Sequence, residues 1–326
     1  MKVTVVRVNE LSSGEMRRWA DLQATNDLFN SPYFCPHFSA AVGCVREDVF
    51  VGIMEERTRL EGFFPFQLKS PGKAIPVGRR VSDYHGVIVS NDLEWQVEDL
   101  FSRCKLSTWK FENLPVAQSQ FTKYHHLVET SPVIDLSKEG VPQWVSALEA
   151  RGSRLLEQLR AACRRLEREH GPIRFEPQTS DPTLLAQLLQ CKSAQYTATG
   201  CLDLFQIPWI TELIRLIHCT QTPEFAGLLS VLYTNDRPIA YHFGMRSRCV
   251  WHWWFPCYDP AYERYHPGLI LLARMIDHAA NLGLTAIDLG KGSESYKLRF
   301  MNAAVPLAKG CVRIAATTGP GIDGES

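Results

Sequence analysis

Residues 228–245, LLSVLYTNDRPIAYHFGM, contain two short apolar runs separated by the turn-forming residues TNDR (234–237). Two strand-like runs around such a turn predict an antiparallel β-hairpin. A third strand-like run, roughly residues 250–258, follows directly. Pro256 lies inside this run and has no N–H for a ladder hydrogen bond. We therefore expect the sheet to open locally near Pro256.

A helix is predicted to begin at Pro267, because the missing N–H of proline costs nothing in a first helical turn. Gly268 would let a ligand approach the backbone closely. The amino end of such a helix offers unpaired N–H groups, which bind anions such as phosphates. Apolar residues then recur at helical spacing as far as Gly283, so one face should pack on the sheet: Leu269, Leu272, Ile276 and Ala279.

Four polar residues in this region could carry chemistry. Asp288 ends the next predicted strand, 286–289, where it could act as a base, orient an amine, or cap the following turn. Tyr296 could donate a proton, and Lys297 could bind phosphate or an oxyanion, whereas the alternative is a packed tyrosine beside a surface lysine. His242, on the hairpin, could accept a proton from an attacking ammonium or be a buried structural histidine.

Composition indicates an ordinary globular protein. The 326 residues are 45% hydrophobic and 10% aromatic, and the formal net charge is zero. This balance gives no reason to expect a nucleic-acid partner, and no apolar run is long enough for a transmembrane segment. The ten cysteines include no CxxC pair, and we expect a cytoplasmic location. No histidines stand at metal-ligand spacing, so we expect no bound metal.

The order of elements predicts two similar halves. Residues 141–170 carry an apolar helical stripe and are interpreted as a connecting helix, after which a strand at 173–175 and a helix at 182–196 restart the pattern. The predicted fold class is α/β, or α+β, with tandem mixed sheets flanked by helices. The expected divisions are an amino-terminal half at 1–140, the connecting helix at 141–170, a donor-binding half at 171–316 and a disordered tail at 317–326.

This layout resembles the GNAT superfamily, and more closely its BioF2-like branch, which includes CelD/BcsL-type acetyltransferases of polysaccharide biosynthesis. In the second half, the residues that carry the match are AYHFG (240–244), YDP (258–260), PG (267–268), DLG (288–290) and GSESYK (292–297). Landmarks of the same branch in the first half are SPYF (31–34), SDY (82–84) and SPVIDL (131–136).

The resemblance implies an N-acyltransferase that uses acyl-CoA, typically acetyl-CoA, and an amine acceptor such as an amino sugar. Its implied catalytic residues are His242, Asp288, Tyr296 and Lys297. Donor-binding residues would be Pro256, Arg264, Tyr265, His266, Gly268 and Leu269, and substrate-binding residues would be Trp253, Tyr258 and Glu294.

Two other interpretations stay open. The loop RYHPG (264–268) contains one glycine where GNAT pyrophosphate loops usually contain several, so the donor could instead be an acyl carrier protein or an aminoacyl-tRNA. An aminoacyl-tRNA donor would indicate a ligase like the related FemABX proteins, although no long heptad arm for RNA appears in the sequence. The third interpretation is a non-catalytic protein that binds a ligand through an inherited cleft.

Overall fold

The structure is a computed structural model and describes residues 1–314. The elements of the first half are β1 Lys2–Arg7, α1 Ser13–Ala24, α2 Pro36–Val45, β2 Val49–Glu56, β3 Arg59–Ser70, β4 Lys73–Ile75, β5 Ile88–Val89, α3 Val97–Arg103, β6 Thr108–Pro115 and β7 His125–Asp135. Those that follow are α4 Val141–Ala150, α5 Leu155–His170, β8 Ile173–Glu176, α6 Pro182–Ala198, α7 Pro208–Cys219, β9 Ala226–Thr234, β10 Arg237–Arg246, β11 Val250–Tyr258, α8 Pro267–Asn281, β12 Ala286–Asp288, α9 Ser295–Phe300 and β13 Ala303–Arg313. Short 3-10 turns span Val8–Glu10, Asp27–Phe29, Pro32–Phe34, Arg79–Val81, Ser119–Tyr124, Leu204–Gln206 and Pro260–Tyr265.

The described strands form one continuous mixed sheet flanked by helices, so the fold class predicted from the sequence is confirmed. The strand order is β1-β2-β3-β4-β6-β13-β7-β12-β11-β10-β9-β8, and β5 pairs with β3. Each half contains a run of antiparallel strands followed by one parallel pair, which is β4–β6 in the first half and β11–β12 in the second. The two sheets expected from the sequence are therefore joined into one.

The joint is an exchange of strands between the halves. The last strand of the chain, β13, pairs with β6 of the first half, and β7 of the first half pairs with β12 of the second. Strands β7 and β13 pair with each other at the centre, with Val133 opposite Ala303. Because each half completes the sheet of the other, the first-half segments are held against the second-half site.

The predictions of a β-hairpin and of a helix that begins at Pro267 are confirmed. Thr234 pairs with Arg237, so β9 and β10 are joined by a two-residue turn in which Asn235 has φ +50°. Asparagine tolerates this left-handed conformation better than most residues. Strand β11 and the start of α8 lie where the sequence placed them.

The segment 141–170 differs from its prediction, because it forms the two helices α4 and α5 instead of one. Gly152 has φ +69°, and its N–H donates to the carbonyl of Glu149. Glycine in this conformation ends helices. The predicted disordered tail, 317–326, lies outside the described residues.

A shared hydrophobic core fixes the halves together. Helices α1 and α2 of the first half pack in the same buried cluster as α6 and α7 of the second, through Trp19, Phe38, Leu188 and Ile214. Helices α4, α5 and α8 cover the other face with Leu159, Leu166 and Ile276 among their buried residues. Among the residues that the structure describes, no helix is both long and apolar enough to cross a bilayer.

Candidate active site

The parallel pair β11–β12 separates part-way along β11. The paired residues are Val250 with Ala286, Trp251 with Ile287, and His252 with Asp288. Beyond the last pair β12 ends, while β11 continues to Tyr258 and α8 begins nearby in the chain. We call this place, where residues 253–258 lack a strand partner on the β12 side, the second-half opening. It begins three residues before Pro256, so the predicted local opening near this proline is present.

Asp288 lies at this opening and is tied to the first half of the chain. Its Oδ1 accepts hydrogen bonds from Ser131 Oγ at 2.6 Å and from the Gly290 amide at 2.8 Å. Its Oδ2 accepts a hydrogen bond from the Tyr84 hydroxyl. Because the carboxylate is only 3% exposed and is held by three donors, it anchors the turn and the two halves.

A carboxylate–imidazole pair lies beside Asp288. His252 Nε2 is 2.8 Å from Asp83 Oδ2, and His252 Nδ1 is 3.8 Å from Asp288 Oδ1. Burial opposes ionisation of Asp83, but the hydrogen bond with His252 and nearby positive charge outweigh it, so the pKa of Asp83 is lowered. His252 is fully buried, whereas the Asp83 side chain is 29% exposed. Asp83 is therefore the member of this cluster that a substrate can reach.

Gly290 allows Asp83 to approach the turn after β12. A Cβ atom at this glycine would lie 3.1 Å from Asp83 Oδ2, and the glycine has φ +73°. Both the conformation and the close approach favour glycine. The turn thus brings the first-half carboxylate directly over the end of β12.

Sequence reasoning did not assign roles to Asp83, His252, Tyr84 or Ser131. Three of the four lie in the first-half landmarks SDY (82–84) and SPVIDL (131–136), which was the available signal. The signal for His252 was a polar residue inside the otherwise apolar strand β11. The third landmark also converges here, because the Tyr33 ring packs edge-on against His252 with centroids 4.9 Å apart.

His242 is buried against residues of β11 that belong to the second-half opening. Its Nε2 accepts a hydrogen bond from the Trp254 amide at 3.1 Å, and its ring stacks on Trp253 with centroids 4.3 Å apart. Burial lowers the pKa of His242 well below its usual value. A neutral, buried imidazole whose lone pair is already used favours the structural alternative for this residue.

Tyr296 and Lys297 lie on the short helix α9, and they have different surroundings. Trp253 Nε1 donates to Tyr296 Oη at 3.1 Å, so the proton of the phenol is not used in this contact. Burial raises the pKa of Tyr296 to about 12, which keeps it protonated at neutral pH. Lys297 Nζ donates to the carbonyls of Gly290 and Lys291, both at 3.2 Å, and pairs with Glu294 at 3.2 Å. Lys297 thus holds the loop between β12 and α9 closed.

The side chains of Arg264 and Tyr265 face α5 and do not face the start of α8. Tyr265 Oη donates to Glu169 Oε2 at 2.5 Å, and Arg264 pairs with the same carboxylate at 2.9 Å. His170 Nε2 lies 2.9 Å from Tyr265 Oη. These contacts fasten the loop before α8 to the connecting helices.

The start of α8 follows an exposed residue that has an uncommon backbone conformation. His266 has φ +54° and is exposed, and its carbonyl accepts from the Leu269 amide at 3.0 Å. A Cβ atom at Gly268 would lie 3.4 Å from the Tyr258 ring. The Tyr258 hydroxyl lies 3.4 Å from Glu263 Oε1. A large side chain at position 268 would therefore displace Tyr258 and fill the space before the helix.

Lys192, which the sequence did not suggest, reaches the second-half opening from α6. Its Nζ donates to the Pro256 carbonyl at 2.9 Å and lies 5.2 Å from the centre of the Tyr196 ring. Burial lowers the pKa of Lys192. It supplies a positive charge beside the unpaired edge of β11.

Two other structural observations concern ligands. A groove of about 1060 Å³ runs between α6 and α7 and is lined by residues such as Leu189, Phe205 and Thr211, none of which belongs to the Asp83–His252 cluster. Within residues 1–314, no group of three or more His, Cys, Asp or Glu side chains is arranged to hold a metal ion.

The second half of the chain is similar to a known protein family. Residues 153–298 match the family model described as an acetyltransferase (GNAT) domain. This part of the chain is therefore similar to GNAT acetyltransferase domains. The matched region contains β11, α8 and β12, and it ends within α9, so it includes the whole second-half opening. No curated protein matches the chain by sequence.

Solved structures show the same fold across both halves. The crystal structure of FemX is 11% identical, with a TM-score of 0.61 over 95% of this chain and 96% of that one. The C-terminal domain of a putative lysylphosphatidylglycerol synthetase from Agrobacterium fabrum is 13% identical, with a TM-score of 0.57 over 93% of each chain. A tandem GNAT protein from the clavulanic acid biosynthesis pathway is 8% identical, with a TM-score of 0.50 over 96% and 98% of the chains. The tandem architecture is therefore common to these proteins.

Proposed function

We propose that this protein is an N-acyltransferase that moves an acyl group from acyl-CoA to an amine, such as that of an amino sugar or a small amine. One observation carries the proposal: a partly exposed carboxylate, Asp83, is hydrogen-bonded to a buried histidine where β11 and β12 separate. Reactive groups at the end of a strand, beside an opening in the sheet, are placed where bound substrates can meet them.

The donor would lie along the second-half opening. Its extended arm would follow the free edge of β11, residues 253–258, and its phosphates would lie towards the start of α8 near Gly268 and His266. Lys192 adds a positive charge beside this path. The thioester would then lie near Asp83, with Tyr296 contributed by helix α9.

The reaction would be direct attack of the amine on the thioester. Asp83 would hold the ammonium form of the acceptor, and the Asp83–His252 pair would accept its proton, which later passes to solvent. The neutral amine would form the N–C bond as the C–S bond breaks, and the departing thiolate would be protonated to the free thiol. A positioned base contributes roughly 100- to 10,000-fold to such a reaction, and proximity contributes more.

Tyr296 and Asp288 would support this step differently. Tyr296 has a proton that can be donated to the departing sulfur, because its oxygen accepts the hydrogen bond from Trp253. Asp288 would keep His252 and the first-half segments in place through its contacts with Ser131 and Tyr84. We propose structural roles for His242 and Lys297, because both are buried, His242 Nε2 accepts from the Trp254 amide, and Lys297 Nζ donates to the carbonyls of Gly290 and Lys291.

Titration calorimetry with acetyl-CoA and a longer acyl-CoA tests the proposal. We expect saturable binding by the natural protein and its loss in Gly268→Trp. The matched control is Gly14→Trp, because Gly14 is also the second residue of a helix and a Cβ there would lie 3.8 Å from its nearest neighbour, Ser12 Oγ. Loss of binding in both variants, or no binding by the natural protein, would contradict a CoA cleft at the second-half opening.

A second candidate is an aminoacyl-tRNA-dependent transferase. The observation that favours it is the full-length fold likeness to FemX and to the putative lysylphosphatidylglycerol synthetase domain. The same opening would then hold the acylated end of a tRNA. Turnover with charged tRNA but not with acyl-CoA or an acylated carrier protein would favour this candidate, and the reverse result would exclude it. Ligand binding without turnover of any donor would favour the non-catalytic interpretation.

The cellular setting is also a proposal. All ten cysteines are free in the structure, which supports a reducing compartment such as the cytoplasm. Membership of the BioF2-like branch and a role in polysaccharide biosynthesis are supported by the sequence landmarks that meet at the Asp83–Asp288 cluster. Screening of amine acceptors, with amino sugars first, tests this setting.

A further inference from the structure

The first half contains a second opening between parallel strands. Lys73 pairs with Thr108 and Ala74 with Trp109, and β4 then ends at Ile75 while β6 continues. This is the same arrangement as that of β11 and β12 in the second half. We call it the first-half opening.

Two adjoining cavities lie at the first-half opening. Their volumes are about 360 and 400 Å³, and both are lined by Lys69, Ile75 and Lys110. Small-molecule sites usually have volumes of roughly 300 to 1,000 Å³. The concave shape and the size fit a small ligand better than a nucleic acid or a membrane, both of which would need a broader surface.

The lining of these cavities has a strong excess of positive charge. Glu112 is the one acidic residue in the lining, and its carboxylate lies 3.6 Å from Lys309. Within residues 1–314, no carboxylate lies within 4.0 Å of any of the six basic groups of the lining: Lys69, Lys73, Arg79, Arg80, Lys110 and Arg313. The whole chain has a net charge of zero, so the excess of positive charge is local to this cluster. The basic side chains repel one another, and a bound anion would reduce this repulsion.

The loop that carries the two arginines has an uncommon backbone conformation. Gly78 has φ +80° and Arg79 has φ +51°. The Gly78 amide is held by the buried Gln67 side chain at 2.9 Å. A left-handed conformation at a residue other than glycine persists where surrounding contacts impose it, and such residues concentrate at ligand sites.

The floor of the cavity provides no compensating negative charge. It contains His85, whose Nδ1 accepts hydrogen bonds from the amides of Glu112 at 3.3 Å and Asn113 at 3.2 Å. Its Nε2 lies 3.1 Å from the carbonyl of Ser82. Both nitrogens of this imidazole make hydrogen bonds within the fold. An anion would therefore be bound by the surrounding lysines and arginines.

We propose that the first-half opening binds a small ligand through a diphosphate group. Arginine side chains recognise phosphate oxygens with paired N–H donors, and lysines add point charges, so several of these groups can surround one diphosphate. This site is separate from the second-half opening, and the proposal does not depend on the acyl-transfer reaction. The ligand could be a nucleoside diphosphate conjugate of the acceptor or a second molecule that contains CoA.

Calorimetric titration with inorganic pyrophosphate tests the site in the full-length chain. The test variant is the triple change Arg79→Gln, Arg80→Gln and Lys110→Gln. The control is Arg17→Gln, Arg103→Gln and Lys138→Gln, which removes the same charge from exposed positions elsewhere. We expect the dissociation constant to rise at least tenfold in the test variant and less than twofold in the control.

The Gly268→Trp variant separates the two openings in this experiment. Pyrophosphate binding that persists in Gly268→Trp and is lost in the triple variant supports the proposal. Binding that is lost in Gly268→Trp and unchanged in the triple variant assigns pyrophosphate to the start of α8 and overturns it. Equal weakening in the control triple, or binding of RNA or anionic vesicles with none of pyrophosphate, also overturns it.

Thermal unfolding provides a second readout that a purely structural role would not give. Removing like charges that repel should leave the melting temperature of the triple variant equal or higher without ligand, and should abolish the increase caused by pyrophosphate. A melting temperature that falls without ligand and still rises normally with pyrophosphate contradicts the proposal. In the Gly268→Trp variant, displacement of pyrophosphate by UDP would assign the site to an acceptor, and displacement by CoA to a second donor.

Discussion

The two openings between parallel strands share one backbone arrangement and differ in their last paired residues. In the second half these residues are His252 and Asp288, which are polar and connected to Asp83. In the first half they are Ala74 and Trp109, which are buried and apolar. The charge of the surrounding side chains also differs, because the first-half opening has the larger excess of basic side chains. Imidazole and carboxylate side chains are thus placed at one opening, and lysine and arginine side chains surround the other.

The strand exchange explains how one chain can maintain both arrangements. Asp83, Tyr84 and Ser131 come from the first half but contact the second-half site. Under the proposed mechanism, the first half would therefore be needed for chemistry at the second-half opening, although its own opening has no polar pair. The two proposals together would give anion binding to the first-half opening and proton transfer to the second-half opening.

Replacing Asp83 with Asn tests the chemical side of this comparison and should give the largest effect. The amide cannot accept the proton of the acceptor, so we expect kcat with acyl-CoA and an amine to fall by roughly 100- to 10,000-fold. The dissociation constant of acyl-CoA should change less than threefold, because Asp83 does not lie at the start of α8. Steady-state kinetics and calorimetry on the same preparation measure both quantities.

The control for this experiment is Asp236→Asn, in the exposed turn between β9 and β10. It should leave kcat unchanged. If Asp83→Asn retained more than a tenth of the natural kcat while folding normally, the Asp83–His252 pair would not be the proton acceptor, and the difference between the two openings would need another explanation.

Replacing Tyr296 with Phe should have a smaller effect on the same opening. The phenol would donate one hydrogen bond to the departing sulfur, so its removal should lower kcat about tenfold, which corresponds to about 1.4 kcal/mol. An acyl donor with a more acidic thiol needs less help at this step and should show a smaller loss. An equal loss for both donors would argue that Tyr296 acts only by packing against Trp253.

Local patterns predicted the second half well, and contacts between distant segments limited the rest. The hairpin, β11 and the start of α8 follow from apolar spacing, turn residues and Pro267, all of which are local signals. The strand exchange depends on pairing between β7 and β13, which are more than 160 residues apart. No local pattern reports such a pairing.

In the candidate site, too, local sequence patterns could not predict contacts between distant residues. Asp288 was recognised from its strand end, but its partners Tyr84 and Ser131 lie 204 and 157 residues away. His242 matched a catalytic pattern in sequence, and only the fold reveals that its Nε2 bonds the Trp254 amide. The first-half opening was missed because its basic residues come from four separate segments of the chain.

His85, beside the first-half opening, provides the last and smallest test, which concerns stability. Burial lowers the pKa of His85 to about 3, whereas an unfolded histidine titrates near 6.5. Between these values the unfolded chain binds a proton that the folded chain does not, so stability should fall as pH falls from 6.5 towards 3. The contribution of His85 is at most about 1.4 kcal/mol per pH unit, or about 2 kcal/mol between pH 7 and pH 5. His85→Gln should remove this contribution, because glutamine can accept a hydrogen bond from the same amides but does not titrate.

Urea unfolding at several pH values measures this effect in the natural protein, in His85→Gln and in the control His126→Gln, whose side chain is exposed. The control should keep the natural pH dependence, while His85→Gln should show a shallower slope even if its stability at pH 7 is lower. Equal slopes in all three proteins would mean that His85 takes up a proton in the folded state. The floor of the first-half opening would then become positively charged in acid, and pyrophosphate should bind more tightly there as pH falls, whereas a neutral His85 predicts no such gain.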